Sequence, residues 1–183
     1  MATETLTCNF IGDFKVGDNI VSNAASLCRL VASNEGEIFN KLIVVQAGSI
    51  TEAALDQIIY RAKNFNREKV TNISEKDRLE IASKKIERFK VLIEKMQEYK
   101  MLDGLGAGIY DDLHKLREYR NRIHIQLDDN LKDVSRDEDK AFTKEIVTWA
   151  LALNIRVLKH LIEKYPRPKD LEQFAHELVL PNA

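Results

Sequence analysis

The sequence predicts an all-α protein, an up-and-down bundle of four to five main helices, and three observations carry that expectation. Only three prolines and seven glycines punctuate the 183 residues, whereas an all-β chain of this length needs far more turn residues. Apolar side chains recur at three- and four-residue intervals through several long segments, the spacing of one face of a helix. Hydrophobic residues make up 44% and charged residues 31% of the chain. That is the balance of a globular protein with a core, outside the disordered regime. A single domain is expected at this length.

Residues 1–17 read as an N-terminal arm with a short extended piece over 6–10, residues 18–165 as the helical bundle, and residues 166–183 as a tail with a short helix. Asp18 is an acceptable N-cap for a first helix to about residue 33, with Ile20, Ala24, Leu27 and Val31 on one face. Asn34-Glu35-Gly36 breaks it. A second helix over 37–62 is apolar nearly all round and belongs at the centre of the bundle. Ser74 followed by Asp77 is an N-terminal signature for a third helix over 74–102, with Leu79, Ile86, Phe89, Ile93 and Met96 on its buried face. The fourth, over 109–128, carries Asp111 and Asp112 in its first turn, where the helix dipole favours acids. A fifth runs over 137–164 until Pro166 and Pro168 stop it, and a short helix over 170–178 closes the chain.

Composition narrows the function classes. A net charge of −1 and a pI of about 6.4 provide no global basic field of the kind a dedicated duplex-DNA binder has, but leave room for a local basic site. Cys8 and Cys28 are too few for a disulfide framework and lack metal-ligand spacing, so they read as buried free thiols. Glu4 stands where a signal peptide needs basic residues, and the apolar runs at 42–45 and 149–153 fall short of the ~20 residues that span a bilayer. The expectation is a cytoplasmic protein without membrane contact. No cofactor and no metal is expected. Gly104, Gly106 and Gly108 follow no strand and precede no Lys-Ser/Thr, Asp111 and His114 form a lone i, i+3 pair, and His160 and His176 read as surface residues. Lys84, Lys85, Arg88 and Lys90 alternate with Glu87 and Glu94, the pattern of a solvated face.

The fourth helix carries the chemistry. Ile109, Leu113, Leu116, Ile123 and Leu127 define its apolar stripe, and at 100° per residue Arg120 falls within about 20° of the stripe's centre. Arg117 and His124 lie along one edge, Asn121 just beyond, and Arg122 on the opposite, solvated side. An arginine buried there without a partner costs several kcal/mol. Glu52 and Asp56, one turn apart on the second helix, are its candidate partners. Two readings stay open: a structural ion pair with His124 as neutral filler, or a cleft or dimer interface where Arg and His meet an anionic substrate.

The segment Leu116-Arg117-Glu118-Tyr119-Arg120-Asn121-Arg122-Ile123-His124 resembles the signature of the HEPN superfamily, small helical bundles that include many toxin and defence ribonucleases. Gly48-Ser49-Ile50-Thr51-Glu52-Ala53-Ala54-Leu55 also looks like the central-helix segment of such bundles. The family pattern is an Arg, usually followed by Asn, Asp or His, and a His after four to six intervening residues. Here Arg120-Asn121 is the natural pair but stands three residues before His124, while Arg117 has the six-residue spacing but is followed by Glu118. Both remain candidates. The resemblance implies metal-independent endoribonuclease chemistry on RNA through 2′-hydroxyl attack. His124 would be acid–base, Arg120 or Arg117 the phosphate ligand, and Asn121 an orienting group, with Glu52 and Asp56 in support. It implies a homodimer with a composite site, and a cognate antitoxin or other partner protein. The alternative is a non-catalytic HEPN-like module for dimerisation or protein interaction.

Overall fold

A computed structural model describes residues 2–65, 67–84, 86, 88–123 and 134–182. Among them the chain forms seven α-helices and one two-stranded sheet: β1 (Thr3–Cys8), α1 (Phe14–Ala32), α2 (Asn40–Asn64), α3 (Glu75–Ser83), α4 (Phe89–Glu98), α5 (Ile109–Asn121), α6 (Glu138–Ala141), α7 (Lys144–Lys164) and β2 (His176–Pro181). The protein is mostly helical, as composition and periodicity require, but not purely so.

α2 is the axis on which α1, α3, α4, α5 and α7 pack. It is long and apolar enough to cross a membrane, yet 67% of its most apolar window is buried inside the protein, the signature of a core helix. Thr51 and Asn154 tie it to α7: Asn154 Nδ2 donates to Thr51 Oγ1 at 2.8 Å, and Thr51 Oγ1 donates back to the Ala47 carbonyl at 2.9 Å. Its C-terminal end is fixed by Arg61, only 1% exposed. Arg61 donates to the Phe10, Tyr165 and Pro166 carbonyls and pairs through Nε with Glu68 at 3.1 Å. Arg167 holds the same Glu68 at 2.5 Å, so one buried network clamps the N-terminal arm, α2 and the end of α7. A Cβ on Gly12 would stand 2.5 Å from Arg61 Cγ, so the arm passes over this side chain only as glycine.

Several expected elements differ. Asp13, not Asp18, caps α1, accepting from the Val16 N–H. The third helix breaks in two: Lys84 and Arg88 are extended, α3 buries only Ile81, and Leu79 is 58% exposed. With so little apolar surface on α3, the chain gains more by turning Ile86 and Phe89 into the core than by continuing straight. The fifth helix breaks at Phe142–Thr143, where extended Thr143 caps α7 and Phe142 folds inward against Tyr119. The closing helix is replaced by a 3₁₀ turn, Lys169–Phe174, and β2. β2 alternates His176, Leu178 and Leu180 inward with Glu177 and Val179 outward, a period of two that fits a strand. It pairs antiparallel with β1 from Thr3↔Pro181 to Cys8↔His176, with its other side along α1.

Both cysteines are free. Burial alone pushes the Cys8 thiol up to about 12, which keeps it inert at neutral pH. His160 and His176 are buried rather than on the surface. The His160 ring is bonded through Nε2 with the Met101 carbonyl at 2.8 Å, and His176 lies against Gly17 with its ring 5.0 Å from Phe14.

Candidate functional site on the α5 C-terminal turns

α5 follows the glycine-bearing turn at 103–108 and buries Ile109, Tyr110, Leu113, Leu116 and Tyr119. It ends at Asn121, seven residues before the expected stop. Arg122 is the C-cap (φ −75°, ψ 14°), and the last turn tightens through Arg122 N–H to Tyr119 at 3.1 Å and Ile123 N–H to Arg120 at 3.4 Å.

That early end overturns part of the helical-wheel reading. Arg122, expected in solvent, is 7% exposed. Its guanidinium donates to the Ser135 carbonyl and to the Arg136 carbonyl at 3.1 Å and sits 5.8 Å over the Phe142 ring. Ile123, expected in the apolar stripe, is 52% exposed. A rotation of 100° per residue applies only inside the helix, and both residues lie past it. Arg120 is therefore the more exposed of the pair, its side chain 36% accessible, the reverse of the expected order. His124 and Leu127 lie outside the described residues.

Arg120 faces α2, with Nη2 2.5 Å from Glu52 Oε2 and Nη1 3.3 Å from Asn121 Oδ1. Glu52 is its partner, as expected. Asp56 lies one turn further along α2, within reach of the Asp13 charge. Both carboxyls are held above their ordinary range. For Glu52 the main cause is burial, with Asp56 adding to it, while Arg120 and the Phe89 N–H at the start of α4 pull the other way. For Asp56 burial leads and Asp13 adds. Gly48 makes the approach of α5 possible, since a Cβ there would meet Arg120 Cβ at 3.0 Å and Cγ at 3.3 Å.

Arg117 lies one turn before Arg120. Its Nη2 reaches Glu118 at 3.4 Å, and its Nε is buried without a hydrogen-bond partner among the described residues. His114, not assigned to the site from sequence, stands on the same side of α5. Burial depresses its pKa and the Arg117 charge adds to this, against the opposing pull of Glu94, Asp111 and Glu118. The i, i+3 spacing from His114 to Arg117 was the available signal. Arg120, Asn121 and Glu52 are thus brought together, with Arg117 one turn earlier on α5 and turned to Glu118. The groups on offer are two guanidinium cations, an amide, and a carboxylate that fixes one of the cations. Among the described residues no group of three or more His, Cys, Asp or Glu is placed to hold a metal ion.

No protein-family model matches the chain, and no curated protein or solved structure matches it either.

Proposed function

We propose that the α5 C-terminal turns form a HEPN-type endoribonuclease site that cleaves RNA without a metal. The observation that carries this reading is Arg120: a half-exposed guanidinium anchored on one side by Glu52 and flanked by Asn121. An arginine held this way is pre-organised to receive a phosphoryl oxygen and pays little ordering cost when it does. In the reaction, a ribose 2′-hydroxyl loses its proton to a base and its oxygen attacks the adjacent phosphorus. The bond from phosphorus to the 5′-oxygen breaks, and that oxygen takes up a proton. The products are a cyclic phosphate and a 5′-hydroxyl end. His124 is the proton-transferring group in this scheme, Arg120 or Arg117 balances the charge that develops on the phosphoryl oxygens, and Asn121 orients the phosphate. A homodimer would supply a second histidine for the second proton transfer.

The test is RNA cleavage by purified protein in EDTA. Wild type should cut, and His124→Ala and Arg120→Ala should not, each with an unchanged circular dichroism spectrum. Intact RNA with folded, dimeric wild type would end the ribonuclease reading. It would leave the protein-interaction module as the remaining reading.

A further inference from the structure

A row of three aromatic rings with cations at both ends runs beside α5 and the start of α7. Lys115 Nζ stands 4.9 Å over the Trp149 ring, and Trp149 packs tilted against Tyr119 at 6.1 Å. Tyr119 meets Phe142 edge-on at 5.5 Å, and Phe142 is flanked by Arg122 at 5.8 Å and Lys41 at 6.0 Å. Tyr119 and Phe142 are buried, but Trp149 is only half-buried and Lys115 is exposed. Arg156 lies two turns beyond Trp149 on the same face of α7 and pairs with Asp112 at 3.0 Å. Lys159 follows three residues later, bonded to Glu4 at 2.7 Å.

We propose that Trp149 is a stacking platform for one base of single-stranded RNA and that Lys115 contacts the neighbouring phosphate. This extends the α5 site and rests on the ribonuclease reading above. The physical case is an exchange. A nucleobase replaces the ammonium on the ring face, which every base can do through its π surface. The displaced ammonium then gains a phosphate oxygen, a stronger partner than the ring. An apolar protein side chain docking there would instead cover Lys115 without giving its charge a partner. A duplex keeps its base faces stacked on each other and has none to offer the ring. Lys115 precedes Arg120 by five residues, about 7.5 Å of helix rise. The two project from different sides of α5, so a strand that reaches both rounds the C-terminal end, where Asn121 and Ile123 are exposed.

Trp149 is the chain's single tryptophan, so the wild-type protein reports on its own platform. A labelled oligouridine with 2′-O-methyl groups, which cannot be cleaved, is titrated and followed by anisotropy and by tryptophan fluorescence together. Binding should quench the fluorescence with the same midpoint as the anisotropy. Trp149→Ala should weaken affinity about 5- to 150-fold, the range of one lost base stack, and Trp149→Phe should restore most of it. Lys115→Ala, at an exposed position that does not threaten folding, should flatten the slope of log affinity against log salt by about 0.7, one single-strand phosphate contact. Binding by anisotropy with unchanged fluorescence and an unchanged salt slope in Lys115→Ala overturns the platform and leaves the RNA reading standing. No binding at low salt overturns both. Fluorescence that responds to protein concentration and not to RNA makes the face a protein contact and also overturns the proposal.

Discussion

Replacing Gly48 by alanine sets two effects of similar size against each other, and the structure says which prevails. Gly48 is buried in the interior of α2, where helix propensity alone favours alanine by about 1 kcal/mol. Against that, the new methyl would stand 3.0 Å from Arg120 Cβ, 3.3 Å from Arg120 Cγ and 3.6 Å from Leu116 Cγ. Ordinary carbon contacts lie at about 3.5–4.0 Å, so α5 must retreat by a few tenths of an ångström or more. The Arg120 stem cannot simply swing away, because its far end is tied to Glu52 and its Cβ is fixed to the helix. Overpacking of this kind costs about 1–3 kcal/mol, so Gly48→Ala should be neutral to about 2 kcal/mol destabilised in urea unfolding, with an unchanged m-value. Activity should suffer more than stability, since a displacement of about 1 Å at a positioned group can cost on the order of a hundredfold in rate. A variant stabilised by the full 1 kcal/mol, with RNA cleavage intact, would refute both the close approach and the idea that it positions Arg120.

Arg61→Ala should cost about 3–5 kcal/mol, the range for breaking a buried ion pair, because it strands Glu68 on one partner and leaves three carbonyls without their donor; chemical denaturation reads this directly. Glu52→Gln should leave stability at pH 7 within about 1 kcal/mol of wild type, since the lost pairing with solvent-screened Arg120 is offset by relief of a buried carboxylate, yet reduce cleavage well beyond that by freeing the guanidinium. Asp56→Asn tests the raised carboxyl. The folded state holds the Asp56 proton more tightly than the unfolded chain, so wild-type stability falls as pH rises from about 4 through the folded value. The variant should therefore match wild type below about pH 4 and have the higher Tm at pH 7, and a lower Tm there would contradict the burial that raises Asp56.

The parts of the fold that were legible in the sequence are those whose partners are periodic and local. The apolar faces of α1, α2 and α7 repeat every three or four residues, and a helix follows from that repeat whatever lies around it. β1 and β2 carry their own alternation, but each is six residues long and its partner is about 170 residues away. A short alternating run that begins eight residues after Pro168 is as easily read as the end of a short closing helix. The breaks at Lys84 and Phe142 were hidden for a different reason. Neither holds Gly or Pro, and the gain that makes them comes from packing Ile86, Phe89 and Phe142, which local propensity does not register. At the site, a carboxylate partner for Arg120 on the second helix was readable, because a charge in an apolar stripe demands one, but the choice of Glu52 over Asp56 was not. The burial of Arg122 was not, since it depends on where α5 stops and on carbonyls at Ser135 and Arg136.

The end of α5 at Asn121 also changes how the choice between Arg117 and Arg120 must be made. On an unbroken helix, four and seven residues both return to the face of His124, and spacing would rank the two arginines by their distance from the family pattern. α5 ends at Asn121 with Arg122 as its cap, so a rotation of 100° per residue cannot be carried on to His124 and neither interval fixes a direction. Spacing sets only reach, and four residues of extended chain span up to about 14 Å. What separates the arginines is how each is held. Arg120 has a carboxylate on another helix at 2.5 Å and a glycine that lets it come close. Arg117 has a neighbour on its own helix at 3.4 Å and an Nε with no partner among the described residues. A group anchored from outside its own helix keeps its position when a phosphate arrives, which is what charge stabilisation in a transition state requires. Arg120→Lys should then lose most of the cleavage rate, because an ammonium cannot bond Glu52 and a phosphate in the same planar fork. Arg117→Lys should lose little. The opposite ranking, measured at equal stability, would assign the phosphate to Arg117 and leave Arg120 as a structural counter-ion to Glu52.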